Sequence, residues 1–231
     1  MGELKALIVN GSPRERTCTS MIEALKRGLT GAGAEVTKRS VYKLDIRPCL
    51  ACTNCMSKTP GICAQEDDMK YLLPLVAQSD LLMLVTPIYL DGITGPMKVF
   101  VDRLIPLLVR GVEMRDGRVR HPIREGVKRG KIGLMSASTF PEPETFDPLV
   151  AHVKAISRNL GREYAGEIIV PGRGYLMRRG DWDAVLRMIE SVGAHIVNEG
   201  KIPGGISSKF FPQVSPDEFV RELNAFIATL S

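Results

Sequence analysis

Short apolar runs alternate with longer amphipathic segments along most of the chain. The runs at residues 6–9 and 81–86 are continuously apolar, which is typical of parallel strands covered on both faces. Between the runs, apolar residues recur at helical spacing, as at Met21, Leu25 and Leu29. We predict five strands, at residues 6–9, 35–41, 81–86, 131–137 and 167–171. We predict a first helix that follows residue 20 and ends near residue 31, and further helices at 67–77, 96–108, 145–160, 182–198 and 216–230.

This alternation of strand and helix predicts an α/β fold with one parallel sheet and helices on both faces. Ligands of such sheets bind beyond the carboxyl ends of the strands, where the strand order reverses. Loops that begin at Gly11, Pro87 and Ser136 leave predicted carboxyl ends, so we expect them to meet at one crevice. Residues 110–130 are polar and have no strong period, which predicts an excursion or a hairpin.

The chain divides into one domain and a short extension. Residues 1–199 are predicted to form the α/β domain, which carries a cysteine-rich loop at 49–63. Residues 200–231 are predicted to form a C-terminal extension, in which a Gly- and Pro-rich link precedes a short helix. This extension is either an appendage or a contact between subunits.

The composition is that of a soluble globular protein, with 44% apolar and 25% charged residues. The formal net charge of +5 is modest and the basic residues are spread along the chain, so we expect no nucleic-acid binding. The most apolar window, residues 71–90, is interrupted by Pro74 and Pro87, and the first residues show no secretory signal. We therefore expect a cytoplasmic protein without a membrane segment.

The first strand leads directly into a segment rich in hydroxyl groups, KALIVNGSPRERTCTS at residues 5–20. A turn of this kind before a helix presents unpaired N–H groups and a partial positive charge, which favour a phosphate. The P-loop pattern GxxxxGK[ST] is absent, which argues against an ATP or GTP site. A terminal phosphate monoester remains, with flavin mononucleotide (FMN) as the leading candidate. The alternative is an ordinary strand, turn and helix in which the Ser and Thr side chains cap the helix.

Four of the five cysteines follow the pattern C-x2-C-x2-C-x7-C, at Cys49, Cys52, Cys55 and Cys63. In a cytoplasmic protein this grouping indicates metal or redox chemistry rather than disulfides. Three thiolates at this spacing can wrap the corner of a cuboidal iron-sulfur cluster, and the fourth can close from a short distance. Zinc is the inorganic alternative, although structural zinc sites usually separate two cysteine pairs by a longer gap. A third hypothesis is a loop of four reduced cysteines without a metal.

Three motifs, in this order, resemble the flavodoxin-like, NAD(P)H-dependent FMN reductase superfamily. They are GSPRERTCTS, PCLACTNCMSKTPGICAQEDDM and TPIYLDGITGPMKVFVDRL, and the resemblance covers about residues 4–170. The chain looks most like the iron-sulfur flavoprotein branch. The resemblance implies a three-layer sandwich whose five-stranded parallel sheet has the order 2-1-3-4-5. It also implies FMN, a 4Fe-4S cluster held by the four cysteines, and homodimers or homotetramers in which the cluster of one subunit lies near FMN.

The resemblance also implies which residues bind FMN. The phosphate would be held by Ser12, Arg14, Thr17, Thr19 and Ser20. The ribityl chain and the flavin ring would lie along Pro87, Ile88, Tyr89 and Gly92, and the third flavin-side loop would contain Ser136, Ser138, Thr139 and Phe140. Cys18 stands where many relatives have Asn, and we interpret it as a packed thiol. We interpret Arg173, Arg178 and Arg179 as a solvated loop rather than a site for a nicotinamide phosphate.

The leading functional hypothesis is an FMN-dependent oxidoreductase that passes electrons between the cluster and FMN. Its donor would be NAD(P)H or ferredoxin, and its partner a small molecule or a redox protein. This scheme requires no acid or base from the protein, so we name no catalytic residue. One alternative is a metal-free NAD(P)H-dependent FMN, quinone or nitro reductase. Another is a flavodoxin-like electron carrier without turnover, against which the length of 231 residues argues.

Overall fold

The computed structural model describes residues 3–13 and 15–230, and of residues 15–17 it describes only the backbone. In this part of the chain the strands are β1 (Lys5–Asn10), β2 (Glu35–Ser40), β3 (Leu81–Pro87), β4 (Glu113–Arg115), β5 (Arg118–Arg120), β6 (Lys131–Ala137) and β7 (Glu163–Val170). The α-helices are α1 (Glu15–Gly31), α2 (Met69–Gln78), α3 (Gly95–Asp102), α4 (Asp147–Asn159), α5 (Arg173–Arg178), α6 (Trp182–Glu199) and α7 (Pro216–Ala228). Short 3-10 helices lie at Val41–Lys43, Asn54–Met56, Ile105–Leu107, Pro143–Phe146 and Ile206–Phe210.

The five long strands form one parallel sheet in the order β2-β1-β3-β6-β7. β1 pairs with β2 on one side and with β3 on the other, so the strand order reverses between β1 and β3. The predicted order 2-1-3-4-5 is confirmed, because β4 and β5 form a separate antiparallel hairpin within the polar insert. This hairpin turns at Asp116 and Gly117, whose φ angles of 51° and 69° suit a two-residue type I′ turn.

Helices cover both faces of the sheet, as the sequence pattern predicts. α1 and α6 pack on one face, in a buried apolar cluster that includes Ile8, Leu25 and Ile189. α2, α3 and α4 cover the other face, where Leu84 and Phe100 are buried. The fold is therefore a three-layer α/β sandwich. Within the described residues, no helix is both long and apolar enough to cross a membrane.

Three predicted boundaries are wrong. α1 begins at Glu15 rather than after residue 20, so the end of the hydroxyl-rich segment, residues 15–20, is helical. α3 ends at Asp102 rather than at residue 108, because Pro106 has no N–H to donate and disfavours helix at the residue before it. β7 begins at Glu163 rather than at residue 167, since its polar first residues still pair with β6.

The first part of the C-terminal extension packs against the sheet. Ile202 and Phe210 are buried in the same cluster as α1 and α6, and the Ile202 N–H donates to the Ala165 carbonyl oxygen at 2.7 Å. Phe219 of α7 is buried against Tyr175 of α5, with 5.7 Å between the ring centroids. Residues on both sides of the predicted boundary at residue 200 thus contribute to buried packing.

Helix α5 replaces the solvated loop that the sequence predicts around Arg173 and Arg178. The guanidinium of Arg173 lies 5.3 Å from the centre of the Trp182 ring, and that of Arg178 lies 4.7 Å from the centre of the Phe226 ring. These contacts join α5 to the start of α6 and to α7, which supplies a structural role for both arginines.

Asp80 connects three segments at the amino-terminal edge of the sheet. Its carboxylate accepts hydrogen bonds from the Lys5 N–H at 2.9 Å and from the Lys128 ammonium at 2.7 Å. Burial would raise the pKa of this carboxyl, but the hydrogen bonds and the nearby charges of Lys128 and Arg162 outweigh it and hold the pKa below its ordinary value.

We expect Asp80→Asn to flatten the dependence of unfolding free energy on pH. A carboxyl whose pKa is lower in the folded than in the unfolded state stabilises the protein above the unfolded pKa, and this contribution is lost as the pH falls through the folded pKa. The difference in unfolding free energy between neutral and acidic pH should shrink by less than about 1 kcal/mol, because the ion pair is partly exposed. Urea unfolding from acidic to neutral pH measures it, with Glu199→Gln at the exposed end of α6 as the control. An unchanged slope in Asp80→Asn would contradict this assignment.

Candidate flavin crevice and cysteine cavity

Three loops meet at the carboxyl edge of the sheet, next to the reversal of strand order. The loop after β1 contacts the start of α3, where the Thr94 hydroxyl donates to the Gly11 carbonyl oxygen at 2.7 Å. The loop after β3 contacts the end of β6, since the Ile88 N–H donates to the Ala137 carbonyl oxygen at 3.4 Å. The structure thus brings together the loops after β1, β3 and β6, and we call the space between them the flavin crevice.

Gly11 permits a close approach between the end of β1 and α3. A Cβ atom at this position would lie 2.8 Å from Met97 Cε and 3.1 Å from Thr94 Oγ1, which is closer than the existing packing allows. The next turn is fixed by its own hydrogen bond, because the Ser12 N–H donates to Asn10 Oδ1 at 3.0 Å. A side chain at this position would therefore force Met97 or Thr94 to shift, beside a preorganised turn.

The predicted phosphate-binding residues lie around the start of α1. Arg14 is outside the described residues, and so is the side chain of Thr17. Thr19 is half-buried in the helix, and the Ser20 hydroxyl accepts a hydrogen bond from the Trp182 ring N–H at 3.3 Å. The binding roles of these residues stay predictions. The start of a 17-residue helix at the reversal of strand order nonetheless suits a phosphate, through its unpaired N–H groups and its dipole.

A tight turn follows β3 and exposes two large side chains. Tyr89 and Gly92 exchange two backbone hydrogen bonds of 3.1 Å. Leu90 and Asp91 between them have φ angles of 47° and 58°, which is the conformation of a type I′ turn formed without glycine. Non-glycine residues in this conformation are strained, and such strain tends to persist at functional sites. Tyr89 is half exposed and Leu90 is fully exposed, so the turn presents apolar surface at the crevice.

Three predicted flavin-side residues lie inside the protein instead. Pro87 is the buried last residue of β3, and Ile88 is partly buried against the apolar core. Ser136 is 0% exposed, and its hydroxyl has no hydrogen-bond partner among the described residues. Any contact of these side chains with a ligand stays a prediction.

The third loop begins at Ser138 rather than at Ser136, because β6 extends to Ala137. The Ser138 hydroxyl donates to the Phe140 carbonyl oxygen at 2.7 Å and so shapes the turn. Thr139 and Phe140 are exposed. The rings of Tyr89 and Phe140 therefore both lie at this edge of the sheet, one in each loop, and could flank a flat aromatic ligand.

The cysteine loop lines a cavity of about 550 Å³, which we call the cysteine cavity. All four predicted ligands contribute to its wall: Cys49, Cys52, Cys55 and Cys63. The other walls come from the ends of α3 and α4 and from the 3-10 helix at Ile105–Leu107. Ala51 and Thr53 have left-handed φ angles of 51° and 57°, which bends the chain between successive thiols. The fifth cysteine, Cys18, is buried within α1, as predicted for a packed thiol, and burial raises its pKa.

The four thiols of the cavity are near enough to influence one another. Burial raises the pKa of Cys55 first, and the neighbouring Cys63, Cys49 and Cys52 raise it further. Among the described residues, no three His, Cys, Asp or Glu side chains converge on a single point suited to a metal ion. A cuboidal cluster does not require that convergence, because each thiolate binds a different iron.

Two arginines hold the cysteine loop against the domain. Arg103 is 1% exposed, and its Nη2 donates to Cys63 Sγ at 3.3 Å. Its Nε–H is buried and finds no acceptor among the described residues. A buried donor without an acceptor is costly, and Arg103 lines the cysteine cavity, where a sulfur-rich group is a candidate acceptor. Arg124 donates to the Cys55 carbonyl oxygen at 3.3 Å. The donor set thus fits a cysteine-bound iron-sulfur cluster.

Three residues at these two sites are not predicted from the sequence: Thr94, Arg103 and Arg124. Thr94 and Arg103 lie within a quoted motif, TPIYLDGITGPMKVFVDRL, which is the only signal that could have singled them out. Arg124 lies in the polar insert, and no sequence pattern marks it.

A parallel sheet with this strand order and a crevice at the reversal defines the flavodoxin-like class of α/β proteins. Residues 4–135 match the model of the NADPH-dependent FMN reductase family, and the chain belongs to that family. It is similar to an iron-sulfur flavoprotein of Archaeoglobus fulgidus, with 38% identity over 104 residues that cover 45% of this chain and 46% of the relative. An iron-sulfur flavoprotein of Methanocaldococcus jannaschii is 31% identical over 126 residues, which cover 54% of this chain and 63% of the relative. The chain thus spans about half the length of the curated relatives it matches.

Solved structures show the same fold at lower sequence identity. A flavone reductase superposes with a TM-score of 0.60 at 21% identity, covering 85% of this chain and 64% of its own. An NAD(P)H:quinone oxidoreductase from Methanothermobacter marburgensis has a TM-score of 0.63 at 14% identity, covering 84% and 98%. An FMN-dependent NADH-azoreductase from Bacillus anthracis, solved in complex with FMN, has a TM-score of 0.61 at 15% identity, covering 84% and 100%. At these identities the likeness shows the fold alone, and it confirms the predicted fold class.

Proposed function

We propose that this protein is an FMN-dependent oxidoreductase whose four clustered cysteines hold a 4Fe-4S cluster. The observation that carries the proposal is the meeting of three strand-end loops at the reversal of strand order, in a chain of the NADPH-dependent FMN reductase family. When bound, FMN supplies exchange between hydride donors and one-electron acceptors, and the cluster supplies one-electron transfer.

The protein's part at the flavin crevice is to bind and orient. The start of α1 favours the phosphate electrostatically, with hydroxyl and guanidinium groups from the predicted set: Ser12, Arg14, Thr17, Thr19 and Ser20. The turn at 89–92 and the loop at 138–140 present exposed aromatic rings for the flavin ring. Because the turn at 89–92 is closed by its own hydrogen bonds, Tyr89 is positioned before a ligand binds.

The cysteine cavity is the proposed binding site of the cluster. Two named relatives are iron-sulfur flavoproteins, which supports the cluster for this chain as well. The loop contributes four thiols to one cavity, and Arg103 brings a positive charge against one of them. Zinc in the same loop would be a structural clip without redox function.

NADPH is the proposed hydride donor, as the family's description indicates, with reduced ferredoxin as the alternative electron donor. The acceptor is a small molecule or a redox protein. We further propose a homodimer or homotetramer in which a neighbouring subunit completes the crevice, since Tyr89, Leu90 and Phe140 leave apolar surface at its rim. A cytoplasmic location is proposed because it keeps the free cysteines reduced.

A metal-free NADPH-dependent FMN, quinone or nitro reductase is the second candidate. One observation favours it: the free cysteines Cys49 and Cys52 are exposed. In that case the cysteine loop would be a structural element beside the same crevice.

Anaerobic titration with NADPH tests the oxidoreductase itself. We expect NADPH to bleach the flavin absorbance of the purified protein, and an added quinone to restore it. Bleaching by reduced ferredoxin but not by NADPH would support the proposed oxidoreductase and identify ferredoxin as its electron donor. A bound flavin that neither donor reduces would contradict the proposal. It would favour a flavodoxin-like carrier that exchanges electrons with other proteins.

We expect Gly11→Ala to weaken FMN binding by about tenfold or more. The new methyl group must displace Met97 or Thr94, and Thr94 is hydrogen bonded to the backbone of this same turn. Fluorescence titration of the apoprotein with FMN measures the affinity. Gly204→Ala is the control, because a Cβ there meets nothing within 4 Å. Equal FMN affinities for Gly11→Ala and the wild type would contradict the assigned crevice.

A further inference from the structure

We propose that Arg103 is a positioning residue that holds Cys63 against the cysteine cavity and raises the reduction potential of the cluster bound there. This inference rests on the proposed iron-sulfur function. It concerns one buried side chain that links the end of α3, the cysteine loop and the start of α2.

Arg103 is buried because its charge is matched. Its Nη1 and Nη2 donate to the two carboxylate oxygens of Asp67 at 2.6 and 2.9 Å, and the Asp67 side chain is 0% exposed. Asp67 also accepts the N–H groups of Arg47 and Met69, each at 3.1 Å. This fork-shaped pair fixes the plane of the guanidinium, which lysine cannot reproduce.

The same guanidinium faces the sulfur of Cys63. Nη2 donates to Cys63 Sγ at 3.3 Å while it also donates to Asp67. Arg103 lines the cysteine cavity, and its buried Nε–H is without an acceptor among the described residues. Asp67 therefore orients Arg103, and Arg103 presents a hydrogen bond and a positive charge to the fourth predicted ligand.

Both features favour the reduced form of a cluster. Reduction adds negative charge, which a buried cation and N–H donors to sulfur stabilise, and hydrogen bonds to the sulfurs are among the determinants of cluster potential. Partners that orient a ligand also strengthen metal binding. Arg103 should thus raise the potential and slow the loss of iron.

Arg124 provides a matched control within the same loop. It donates to the carbonyl oxygens of Pro106 at 2.9 Å, Leu108 at 2.8 Å and Cys55 at 3.3 Å, all on the main chain. It holds the loop in place without a hydrogen bond to a cysteine sulfur among those the structure shows. A merely structural role of either arginine would affect stability and leave the potential unchanged.

The test compares the wild type with Arg103→Lys, with the double variant Arg103→Met/Asp67→Leu and with Arg124→Gln, all purified without oxygen. The double variant replaces both charges together, so that no buried carboxylate is left alone, an exchange that folded proteins often tolerate. It also frees the Arg47 and Met69 N–H groups that Asp67 accepts, whereas Arg103→Lys keeps them paired. The readouts are the midpoint potential of the cluster in a dye-mediated titration and the rate of iron loss to bathophenanthroline disulfonate. We expect a lower potential and about tenfold faster iron loss in both Arg103 variants, and a wild-type potential in Arg124→Gln.

Three results overturn the inference in different ways. Wild-type protein that holds iron, together with Arg103 variants of unchanged potential and unchanged iron loss, refutes the role of Arg103 and leaves the proposed function standing. Wild-type protein without iron refutes the cluster itself, and the role of Arg103 with it. An equal fall in potential for Arg124→Gln would assign the effect to loop position rather than to the Arg103 side chain.

Discussion

Replacing any one of the four cavity cysteines by serine is expected to remove most of the iron and to leave FMN bound. The variants are Cys49→Ser, Cys52→Ser, Cys55→Ser and Cys63→Ser. Serine has nearly the same size but is a poor ligand for iron in a cluster, which is held by thiolates. The flavin crevice is built from other loops, so its affinity should change little. Iron and sulfide analysis with flavin quantification measures both effects in one sample.

Cys18→Ser is the matched control for these four variants. Cys18 is the one cysteine outside the loop, and it is buried within α1. We expect Cys18→Ser to keep the full iron content and to lose some stability, because a buried hydroxyl costs more free energy than a buried thiol even beside Ser12, which contacts this position. Iron retained in all four loop variants would contradict a cluster at this site. Iron lost only in Cys18→Ser would indicate that the iron binds outside the cysteine loop.

Gly28→Ala is expected to destabilise the fold by about 3 kcal/mol, at the upper end of the usual cost of overpacking. Gly28 lies where α1 crosses α6, and a Cβ there would come within 1.8 Å of the Glu190 carbonyl oxygen. A Cβ at the facing Gly193 would come within 2.6 Å of the Leu25 carbonyl oxygen. Main-chain atoms cannot move aside as a flexible side chain can, so the two helices must separate. Denaturant unfolding measures the loss.

Gly31→Ala tests the same substitution in the same helix without the contact. A Cβ at Gly31, the last residue of α1, meets nothing within 4 Å. Alanine favours helix more than glycine, so we expect this variant to be as stable as the wild type or up to about 1 kcal/mol more stable. Equal stability of Gly28→Ala and Gly31→Ala would show that α1 and α6 do not cross as closely as described.

The sheet could be predicted because its strands leave a local pattern. Residues 81–86 are apolar throughout, and β3 is buried along its whole length. The loops after β1, β3 and β6 followed from the same pattern, since carboxyl ends of parallel strands share one edge. The end of α3 was missed because the apolar run continues beyond Asp102, and the single Pro106 outweighs that pattern.

Contacts between distant residues could not be predicted. Arg103 and Asp67 are 36 positions apart. Nothing in the sequence indicates that these two residues are buried together and neutralise each other's charge. Gly28 and Gly193 likewise meet only because α1 and α6 pack on the same face of the sheet. The four cysteines are the opposite case, since their spacing alone placed them on one loop and the structure places them around one cavity.

The absorption spectrum of protein purified without oxygen, with iron, sulfide and zinc analysis of the same sample, tests whether the protein holds both FMN and a cluster. We expect flavin bands over a broad iron-sulfur absorbance, with one FMN and about four irons and four sulfides per chain. Flavin bands without iron would contradict the cluster and leave a metal-free reductase. Zinc in place of iron would also contradict the cluster and would make the cysteine loop a structural zinc site.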